Sequence, residues 1–269
     1  MGALEMNAIA RPARVPVGSR EAERFGVLGV RVDAVTPDSV VAAVESAIAT
    51  KAKSYVVFST VSSILSARDD VRVADAISRA TIVTPDGMPL VWLGRRAARG
   101  SVERVYGPDL MLSLIEATGP RLRHFFYGGA PGVAHAMAAR LKRRSPDLVV
   151  AGTHCPDVAD GTELLDDDVA LINAARPDVV WVGLGHPKQE LWMATHRAAL
   201  DAPVLMGVGA AFDFHAGRKK EAPEWMKRSG LQWVHRLASE PRRLWRRYLV
   251  GNARFVYLLA RERGRGAAR

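Results

Sequence analysis

A glycine-rich segment in the second half of the chain carries the residues best suited to hold a phosphorylated ligand. It follows the apolar run 179–182 and contains Gly183, Gly185, Pro187, Lys188, Gln189 and Glu190. The apolar run predicts a buried strand, and the residues after it predict a turn that opens a helix. Glycines let a backbone approach a ligand closely, and the first N–H groups of a helix attract an anion. Lys188 would add positive charge, and Gln189 would offer both a donor and an acceptor.

A second glycine turn, at Gly128 and Gly129, follows the apolar run 124–127 and precedes a helix-like segment. Such a turn favours a backbone cradle for a diphosphate. Its spacing is not Gly-x-Gly-x-x-Gly, and no acidic residue follows at the end of a second strand, which argues against a nicotinamide cofactor. We therefore expect a phosphorylated substrate and no cofactor.

Small hydroxyl residues follow a third apolar run, 55–59. Thr60 and Ser62 can hydrogen-bond a sugar or a phosphate. A hydroxyl in this position can equally well cap the N-terminus of the helix that comes next. The sequence leaves both roles open.

Asp86 is the acidic residue best placed to act as a general base. It follows the apolar run 81–83 and stands between a proline and a glycine, where an Asp can also simply make an Asx turn. Because ligands of parallel sheets bind at the loops after the strands, we expect Asp86 to face the ligand. Arg104 can bind a phosphate, and Asp109 is expected to cap the helix after it.

Metal chemistry has little support in the sequence. The acidic run 166–168 contains an Asp-x-Asp, but it directly precedes an apolar-periodic segment, where acidic residues complement the helix dipole. The seven histidines show no ligand spacing, and the single cysteine, Cys155, can form neither a metal cluster nor an internal disulfide. We expect no metal, and a reducing compartment.

The order of apolar and amphipathic segments predicts how these residues are positioned. Short apolar runs alternate mostly with helix-length segments such as 37–49, 131–143 and 164–175. This alternation predicts an α/β fold, a Rossmann-like and mostly parallel sheet with helices on both faces. The predicted strands are residues 27–32, 55–59, 81–83, 124–127, 148–151, 179–182 and 204–208.

The excess positive charge of the chain is confined to its C-terminal part. The net charge is +10, yet residues 1–217 hold 23 Lys/Arg against 24 Asp/Glu, whereas residues 218–269 hold 15 against 4. We therefore divide the 269 residues into a flexible N-terminal arm (1–24), an α/β domain (25–217) and a helical, arginine-rich appendage (218–269). The arm lacks the apolar core of a signal peptide, and no run is long enough to span a membrane.

The appendage predicts a basic amphipathic helix. Arg243, Arg247, Arg254 and Arg261 share one narrow sector, and apolar residues such as Trp245 gather on the opposite half. One interpretation is a solvated arginine face with the apolar side packed on the body. The other is a peripheral contact with an anionic membrane surface, with Arg236 and Arg242 adding charge. Nucleic acid is disfavoured, because the motifs of the body suit a small phosphorylated ligand.

Several motifs together resemble the WecG/TagA/CpsF glycosyltransferases, glycosyltransferase family 26. The similarity runs over roughly residues 26–250 in unbroken order. The motifs that carry it are Thr84-Pro85-Asp86-Gly87, Arg104-Val105-x-Gly-x-Asp109-Leu110, Gly128-Gly129, Val182-Gly183-Leu184-Gly185-x-Pro187-Lys188-Gln189-Glu190, Gly207-Val208-Gly209-x-x-Phe212-Asp213, and Ala222-Pro223-x-Trp225 through Glu240-Pro241-Arg242-Arg243.

The resemblance implies an activity and a location. It implies a metal-independent, inverting transfer from a UDP-sugar to a polyprenyl-diphosphate-linked sugar, at the cytoplasmic face of the membrane, during assembly of a cell-surface polysaccharide. It implies that Asp86 is the general base, that Thr60, Arg104 and Gln189 lie in the active site, and that the appendage closes the site and docks on the membrane. The donated sugar stays open among N-acetylmannosamine, its uronic acid and glucose, and self-association is compatible with the family.

Two other classes of protein remain as alternatives. A sugar-nucleotide epimerase or dehydrogenase would need a dinucleotide fingerprint, which the sequence lacks. A non-catalytic, membrane-associated scaffold of a polysaccharide complex would keep the fold and use the appendage only for binding. Transfer activity separates these alternatives from a glycosyltransferase.

Overall fold

The computed structural model describes residues 23–156 and 166–267, and the structural statements below concern these residues. They form eight strands, of which the first two make a hairpin and the other six a separate sheet. The strands are β1 (Arg24–Val27), β2 (Val30–Asp33), β3 (Ser54–Ser59), β4 (Ile82–Pro85), β5 (Arg123–Gly128), β6 (Val149–His154), β7 (Val179–Gly183) and β8 (Val204–Gly207).

Helices connect nearly all of these strands. A 3₁₀ turn (Gly119–Arg121) precedes β5, and a π-helical turn (Arg246–Val250) joins the last two helices. The α-helices are α1 (Pro37–Ala49), α2 (Val61–Asp69), α3 (Val71–Ser78), α4 (Met88–Ala97), α5 (Gly107–Thr118), α6 (Val133–Arg144), α7 (Asp166–Ala175), α8 (Lys188–His196), α9 (Ala211–His215), α10 (Glu224–Arg228), α11 (Gln232–Ser239), α12 (Pro241–Trp245) and α13 (Gly251–Ala267).

The six-stranded sheet has the order β4-β3-β8-β7-β5-β6, and every neighbouring pair in it is parallel. The predicted α/β fold is therefore confirmed. Six of the seven predicted strands match a strand of this sheet to within a few residues, and the predicted helix 37–49 coincides with α1. The carboxyl ends of all six strands lie at one edge of the sheet, which gathers the polar loops singled out above.

Helices cover both faces of the sheet. The central strand β7 shows this most clearly, because Val180 and Val182 belong to one hydrophobic cluster, while Val179 and Trp181 belong to another. All four side chains are fully buried. Alternate residues of a strand point to opposite faces, so an unbroken apolar run is the pattern expected for a strand buried on both sides.

The predicted strand 27–32 is wrong, because the chain turns back in the middle of it. β1 and β2 form an antiparallel hairpin, with Val27 opposite Val30. Leu28 and Gly29 both have positive φ, of 49° and 89°, as a two-residue turn matching the twist of the strands requires. The leucine side chain is buried, so this turn has no polar residue to distinguish it from a strand.

The first described residues belong to β1, and the last ones belong to a long helical segment. Residues 1–22 of the predicted arm lie outside the described residues. Arg24, the last residue assigned to the arm, already belongs to β1, and its Nε is 2.6 Å from Oδ1 of Asp33. At the other end, α12, the π-helical turn and α13 follow one another without a break from Pro241 to Ala267. None of the described helices is both long enough and apolar enough to cross a membrane.

Candidate functional site

The sheet topology opens a crevice between β5 and β7. The connection that leaves β5 leads to β6 on one side, and the connection that leaves β7 leads to β8 on the other. In open parallel sheets, ligands bind outside the carboxyl ends of two such strands. Both predicted glycine turns lie at this point.

The two glycine turns touch each other through their backbones. The N–H of Gly129 donates to the carbonyl of Gly183 over 3.0 Å. Gly128 has a φ of 121°, and a Cβ on it would lie 2.7 Å from the carbonyl carbon of Gly183. Only glycine fits at this contact. Gly185, with a φ of 78°, has open space where its Cβ would be, so the second turn faces a cavity.

That cavity, called the main cavity, has a volume of about 470 Å³. It brings together most of the predicted site residues from the body and the appendage. The predicted residues that line it are Thr60, Asp86, Gly129, Gly183, Gly185, Lys188, Gln189, Glu190, Arg236, Arg243 and Arg247.

A second cavity, of about 150 Å³, adjoins the main cavity. Of these two cavities, Ser62 and Arg104 line only the second, which is also lined by residues of the appendage. The residues that line both cavities are Thr60, Asp86, Tyr106, Arg236 and Arg247. Gly128 and Pro187 line neither cavity but are adjacent in sequence to the lining residues Gly129 and Lys188.

Asp86 occupies the boundary between the two cavities. Its side chain is 15% exposed, and Oδ1 is 3.3 Å from Nη2 of Arg104. Burial raises the pKa of this carboxyl to about 6, against the opposing influence of the Arg104 guanidinium. A carboxyl with a pKa of about 6 is mostly ionised at neutral pH. Its carboxylate accepts a proton more readily than that of an exposed aspartate.

Arg104 does not reach the main cavity, where a phosphate-binding role would place it. Its Nε donates to the carbonyl of Asp86 over 2.5 Å, and its Nη1 donates to the carbonyl of Lys227 over 3.3 Å. Nη2 is shared between the Asp86 carboxyl and the side-chain oxygen of Gln232. In this arrangement the guanidinium supports the aspartate, and the predicted contact with a phosphate stays a prediction.

Gln189 presents an unsatisfied acceptor near the main cavity. Its Nε2 donates to the carbonyl of Gly207 over 2.7 Å and to Oε1 of Glu190 over 3.3 Å. The side-chain oxygen Oε1 is buried and has no hydrogen-bond partner among the described residues. Because buried polar atoms are nearly always paired, this oxygen is suited to accept a hydrogen bond from a ligand.

Glu190 is fully buried beside His186. Its Oε2 is 3.2 Å from Nδ1 of His186, and Nε2 of the same ring is 2.9 Å from Oγ of Ser66 on α2. His186 also lines the main cavity. The imidazole therefore bridges α8 and α2 at the cavity wall.

The helix caps bear on two of the residues selected from the sequence, Thr60 and Asp109. Thr60 is the N-cap of α2, and its Oγ1 accepts from the N–H of Ser63 over 3.4 Å, while the residue also lines both cavities. The expectation that Asp109 caps α5 is wrong, since Tyr106 holds the N-cap position. Asp109 lies in the first turn of α5 and instead is 3.2 Å from Nζ of Lys227 in the appendage.

The arginine face of the appendage turns toward the body. Arg236, Arg243 and Arg247 line the main cavity, and Arg254 donates two hydrogen bonds, of 2.5 and 2.6 Å, to Asp69 on α2. Burial lowers the pKa of Arg247, whose Nε has no hydrogen-bond partner among the described residues. Arg242 is exposed and lines neither cavity, so a direct role at the site is not supported for it.

The interpretation of a solvated arginine face packed by its apolar side holds for only part of the helix. Leu244 and Phe255 are buried, and Phe255 belongs to a hydrophobic cluster of the body, but five large apolar side chains are between 44% and 65% exposed. They are Trp245, Leu249, Val250, Val256 and Tyr257. Large exposed apolar side chains of this kind are suited to contact another apolar phase or partner.

The structure adds site residues that sequence reasoning missed. Tyr106 lines both cavities, with the Arg104 guanidinium 4.4 Å above its ring. Gln232, Trp233 and Asn252 line the second cavity from the appendage. Tyr106 stands inside a quoted motif and could have been chosen, whereas no local pattern marks the other three.

The predicted absence of a resident metal remains an expectation. Among residues 23–156 and 166–267 there is no group of three His, Cys, Asp or Glu side chains that could hold a metal ion. Of the acidic run 166–168, Asp168 is buried, accepts a hydrogen bond from the Tyr127 hydroxyl over 2.8 Å and lies 2.9 Å from Nε2 of His154. These contacts give Asp168 a packing role within the body.

The fold is α/β, and the main cavity lies at the carboxyl edge of its parallel sheet, with arginines of the helical appendage among the lining residues. The chain belongs to the Glycosyl transferase WecG/TagA/CpsF family, whose model matches residues 25–269. The resemblance found in the motifs is thereby confirmed.

Several curated relatives carry the same name, N-acetylglucosaminyldiphosphoundecaprenol N-acetyl-beta-D-mannosaminyltransferase. The protein from Bacillus spizizenii is 36% identical over 174 residues, which cover 64% of this chain and 66% of the relative. The Bacillus subtilis protein is 32% identical over 176 residues, covering 65% and 67%. A Staphylococcus aureus protein is 29% identical over 190 residues, covering 70% and 72%. The chain thus spans about two thirds of the length of these relatives.

Proposed function

We propose that this protein is an inverting glycosyltransferase that moves a hexose-type sugar from a UDP-sugar to a polyprenyl-diphosphate-linked sugar, with Asp86 as the general base. The donor occupies the main cavity and the acceptor sugar occupies the second cavity. The product is an intermediate of cell-surface polysaccharide assembly. Membership of the glycosyltransferase family and the names of the relatives support this class of reaction.

The observation that carries the proposal is that Asp86 and Thr60 line both cavities. A direct transfer between two sugars needs the base within reach of the acceptor hydroxyl, while that oxygen faces the anomeric carbon of the donor. Two ligands bound on either side of Asp86 meet this requirement. A hydrolase or a binding protein would need only one cavity there.

The proposed reaction is a single displacement. The Asp86 carboxylate takes the proton of the acceptor hydroxyl as its oxygen bonds to the anomeric carbon, and the bond from that carbon to the UDP oxygen breaks. Attack from the face opposite to UDP inverts the anomeric configuration. UDP leaves with the electron pair of the broken bond, and Asp86 later returns its proton to solvent.

Cationic side chains stabilise the departing diphosphate in this proposal. Arg236, Arg243 and Arg247 line the main cavity opposite the glycine turns, and Lys188 adds a fourth cation. Charges preorganised where negative charge develops lower the barrier more than they strengthen binding of the ground state. We assign to these groups the charge neutralisation that a divalent metal supplies in other transferases.

Gln189 orients the donated sugar in this account. Its unpaired side-chain oxygen is held in place by the two hydrogen bonds that Nε2 donates. A sugar hydroxyl or amide N–H that donates to this oxygen would satisfy a buried acceptor, which gains both affinity and selectivity. Among the three candidate sugars we favour N-acetylmannosamine, the sugar in the relatives' names, with N-acetylglucosaminyl-diphosphate-lipid as the acceptor.

The exposed apolar residues of the appendage give the enzyme its location. Trp245, Leu249, Val256 and their neighbours suit insertion into a bilayer interface, while the surrounding arginines suit anionic head groups. We place the protein peripherally on the cytoplasmic face of the cell membrane, where a lipid-linked acceptor would enter the second cavity. Such docking would bring the appendage and the acceptor together.

A transfer assay tests the proposed function. The purified protein is incubated with one radiolabelled sugar nucleotide at a time, a short-chain polyprenyl-diphosphate-N-acetylglucosamine acceptor, and EDTA. We expect labelled lipid product from UDP-N-acetylmannosamine, with an anomeric configuration opposite to that of the donor. Absence of transfer from every UDP-sugar offered, with or without divalent metal, would overturn the proposal.

A further inference from the structure

Gln232 ties the appendage to the catalytic centre through both ends of its side-chain amide. Its oxygen accepts a hydrogen bond from Nη2 of Arg104, and its nitrogen donates to the hydroxyl of Tyr106 over 2.6 Å. Gln232 is the first residue of α11, and both partners precede it by more than 120 residues in sequence. The amide therefore joins two distant parts of the chain.

Arg104 is held on every side by this arrangement. One Nη2 group bonds both the Asp86 carboxyl and Gln232, while Nε and Nη1 bond the carbonyls of Asp86 and Lys227. The flat guanidinium also lies 4.4 Å from the centre of the Tyr106 ring. Two of these contacts, from Gln232 and Lys227, come from the appendage. Without them, the guanidinium would keep only its contacts to Asp86 and the tyrosine ring.

Part of the hydrogen-bonding capacity of Gln232 is already used within the protein. The oxygen and the nitrogen each already have a partner within the protein, although the residue lines the second cavity. A direct role in chemistry would need a titratable or nucleophilic group, which an amide lacks. The two hydrogen bonds that Gln232 does make point to a role through Arg104 and Tyr106.

We infer that Gln232 is a positioning residue, which fixes Arg104 beside Asp86 when the appendage is docked and so couples docking to the competence of the base. This inference rests on the proposed function for its catalytic meaning. The charged groups that face Asp86 are Arg104 from the loop before α5, Arg236 from α11 and Asp109 from α5. Of these, only Arg104 is both in contact with Asp86 and held by an appendage side chain.

Gln232→Glu tests the positioning role most directly, because it keeps the shape of the side chain and changes its charge. The new carboxylate would pair with Arg104 in competition with Asp86, and its own negative charge would make Asp86 easier to protonate. We expect the acidic limb of the kcat profile to move to higher pH by at least roughly half a unit. Ser229→Asp, on the exposed surface three residues earlier, adds the same charge to the appendage and should leave the profile in place.

Gln232→Ala is a second variant, which removes the side-chain amide without introducing a charge. Because Arg104 loses one of its anchors, we expect kcat to fall by about tenfold, while KM for the UDP-sugar stays within about twofold of the wild-type value. A loss of donor affinity at unchanged kcat would instead assign Gln232 to donor binding and overturn the inference.

A titration without substrate separates this inference from the proposed function. The carboxyl carbon of Asp86, identified by its absence in Asp86→Asn, is followed by NMR from pH 4 to 8 in the ligand-free wild type, Gln232→Glu and Ser229→Asp. We expect an upward shift of the Asp86 titration in Gln232→Glu only. Coincident titrations of Asp86 in the three proteins would overturn the positioning role, even if transfer activity is present. Failure of transfer with the shift observed would contradict only the proposed function.

Discussion

The carboxyl of Asp86 and the guanidinium of Arg104 are 3.3 Å apart at the junction of two cavities, and both side chains are largely buried. Burial favours the protonated form of the aspartate, whereas the adjacent cation favours the ionised form. Burial is the stronger influence, since the pKa of Asp86 is raised to about 6. The Asp86 carboxyl is therefore mostly ionised at neutral pH, as the proposed role of a general base requires.

The first prediction concerns pH. Because Asp86 must be ionised to act as a base, transfer should be slow below its pKa and reach a plateau above it. We expect kcat to fall about tenfold for each pH unit below 6 and to be nearly constant between pH 7 and 8. A rate profile measured at saturating donor and acceptor checks this. A profile that stays flat down to pH 4.5 would show that another group, or none, titrates in the rate-limiting step.

The second prediction concerns the cations of the main cavity. Arg247 is half-buried and lines both cavities, so Arg247→Ala should remove charge stabilisation from the departing diphosphate and lower kcat by about 100-fold. The neighbouring Arg246 is exposed and lines neither cavity, which makes Arg246→Ala the matched control. Steady-state rates of both variants are compared with a short-chain acceptor. Equal losses in the two variants would point to a general effect on the helix rather than to Arg247 itself.

The third prediction concerns the exposed apolar surface of the appendage. Leu249→Glu places a charge where the account requires insertion into lipid, so binding to vesicles containing anionic lipid should weaken several-fold. Val71→Glu introduces the same charge at an even more exposed apolar residue on α3, and should leave vesicle binding unchanged. Sedimentation with vesicles gives the bound fraction. If Leu249→Glu binds as well as Val71→Glu, the apolar surface serves another partner.

Much of the fold could be predicted from the sequence because its signals are local. The run 179–182 is apolar at every residue, and the structure shows it as β7, buried on both faces. The hairpin at Leu28 and Gly29 was missed because a buried leucine occupies a turn with positive φ, a conformation that Asn or Gly usually marks. The polar loops were located correctly because parallel strands bring their carboxyl ends to one edge.

The parts of the site that depend on long-range packing could not be predicted. A helical pattern shows that arginines and apolar residues occupy opposite sides, but not which side meets the body. In a surface helix the apolar side usually meets the body and the charged side faces solvent. Here Arg247 lines the main cavity, whereas Leu249 is exposed to solvent. Gln232 contacts Arg104 only because α11 folds back on the loop before α5, and nothing within its own segment signals this.

The central claim is that Asp86 accepts the proton of the acceptor hydroxyl during sugar transfer. It is tested most directly by measuring, for Asp86→Asn, the rate of transfer from the UDP-sugar and the affinity for UDP side by side. Asp201→Asn, which changes an exposed aspartate near Lys53, serves as the control. The account predicts that Asp86→Asn loses about 100- to 10,000-fold in kcat while it binds UDP as tightly as the wild type. Turnover of Asp86→Asn equal to that of the wild type would contradict it.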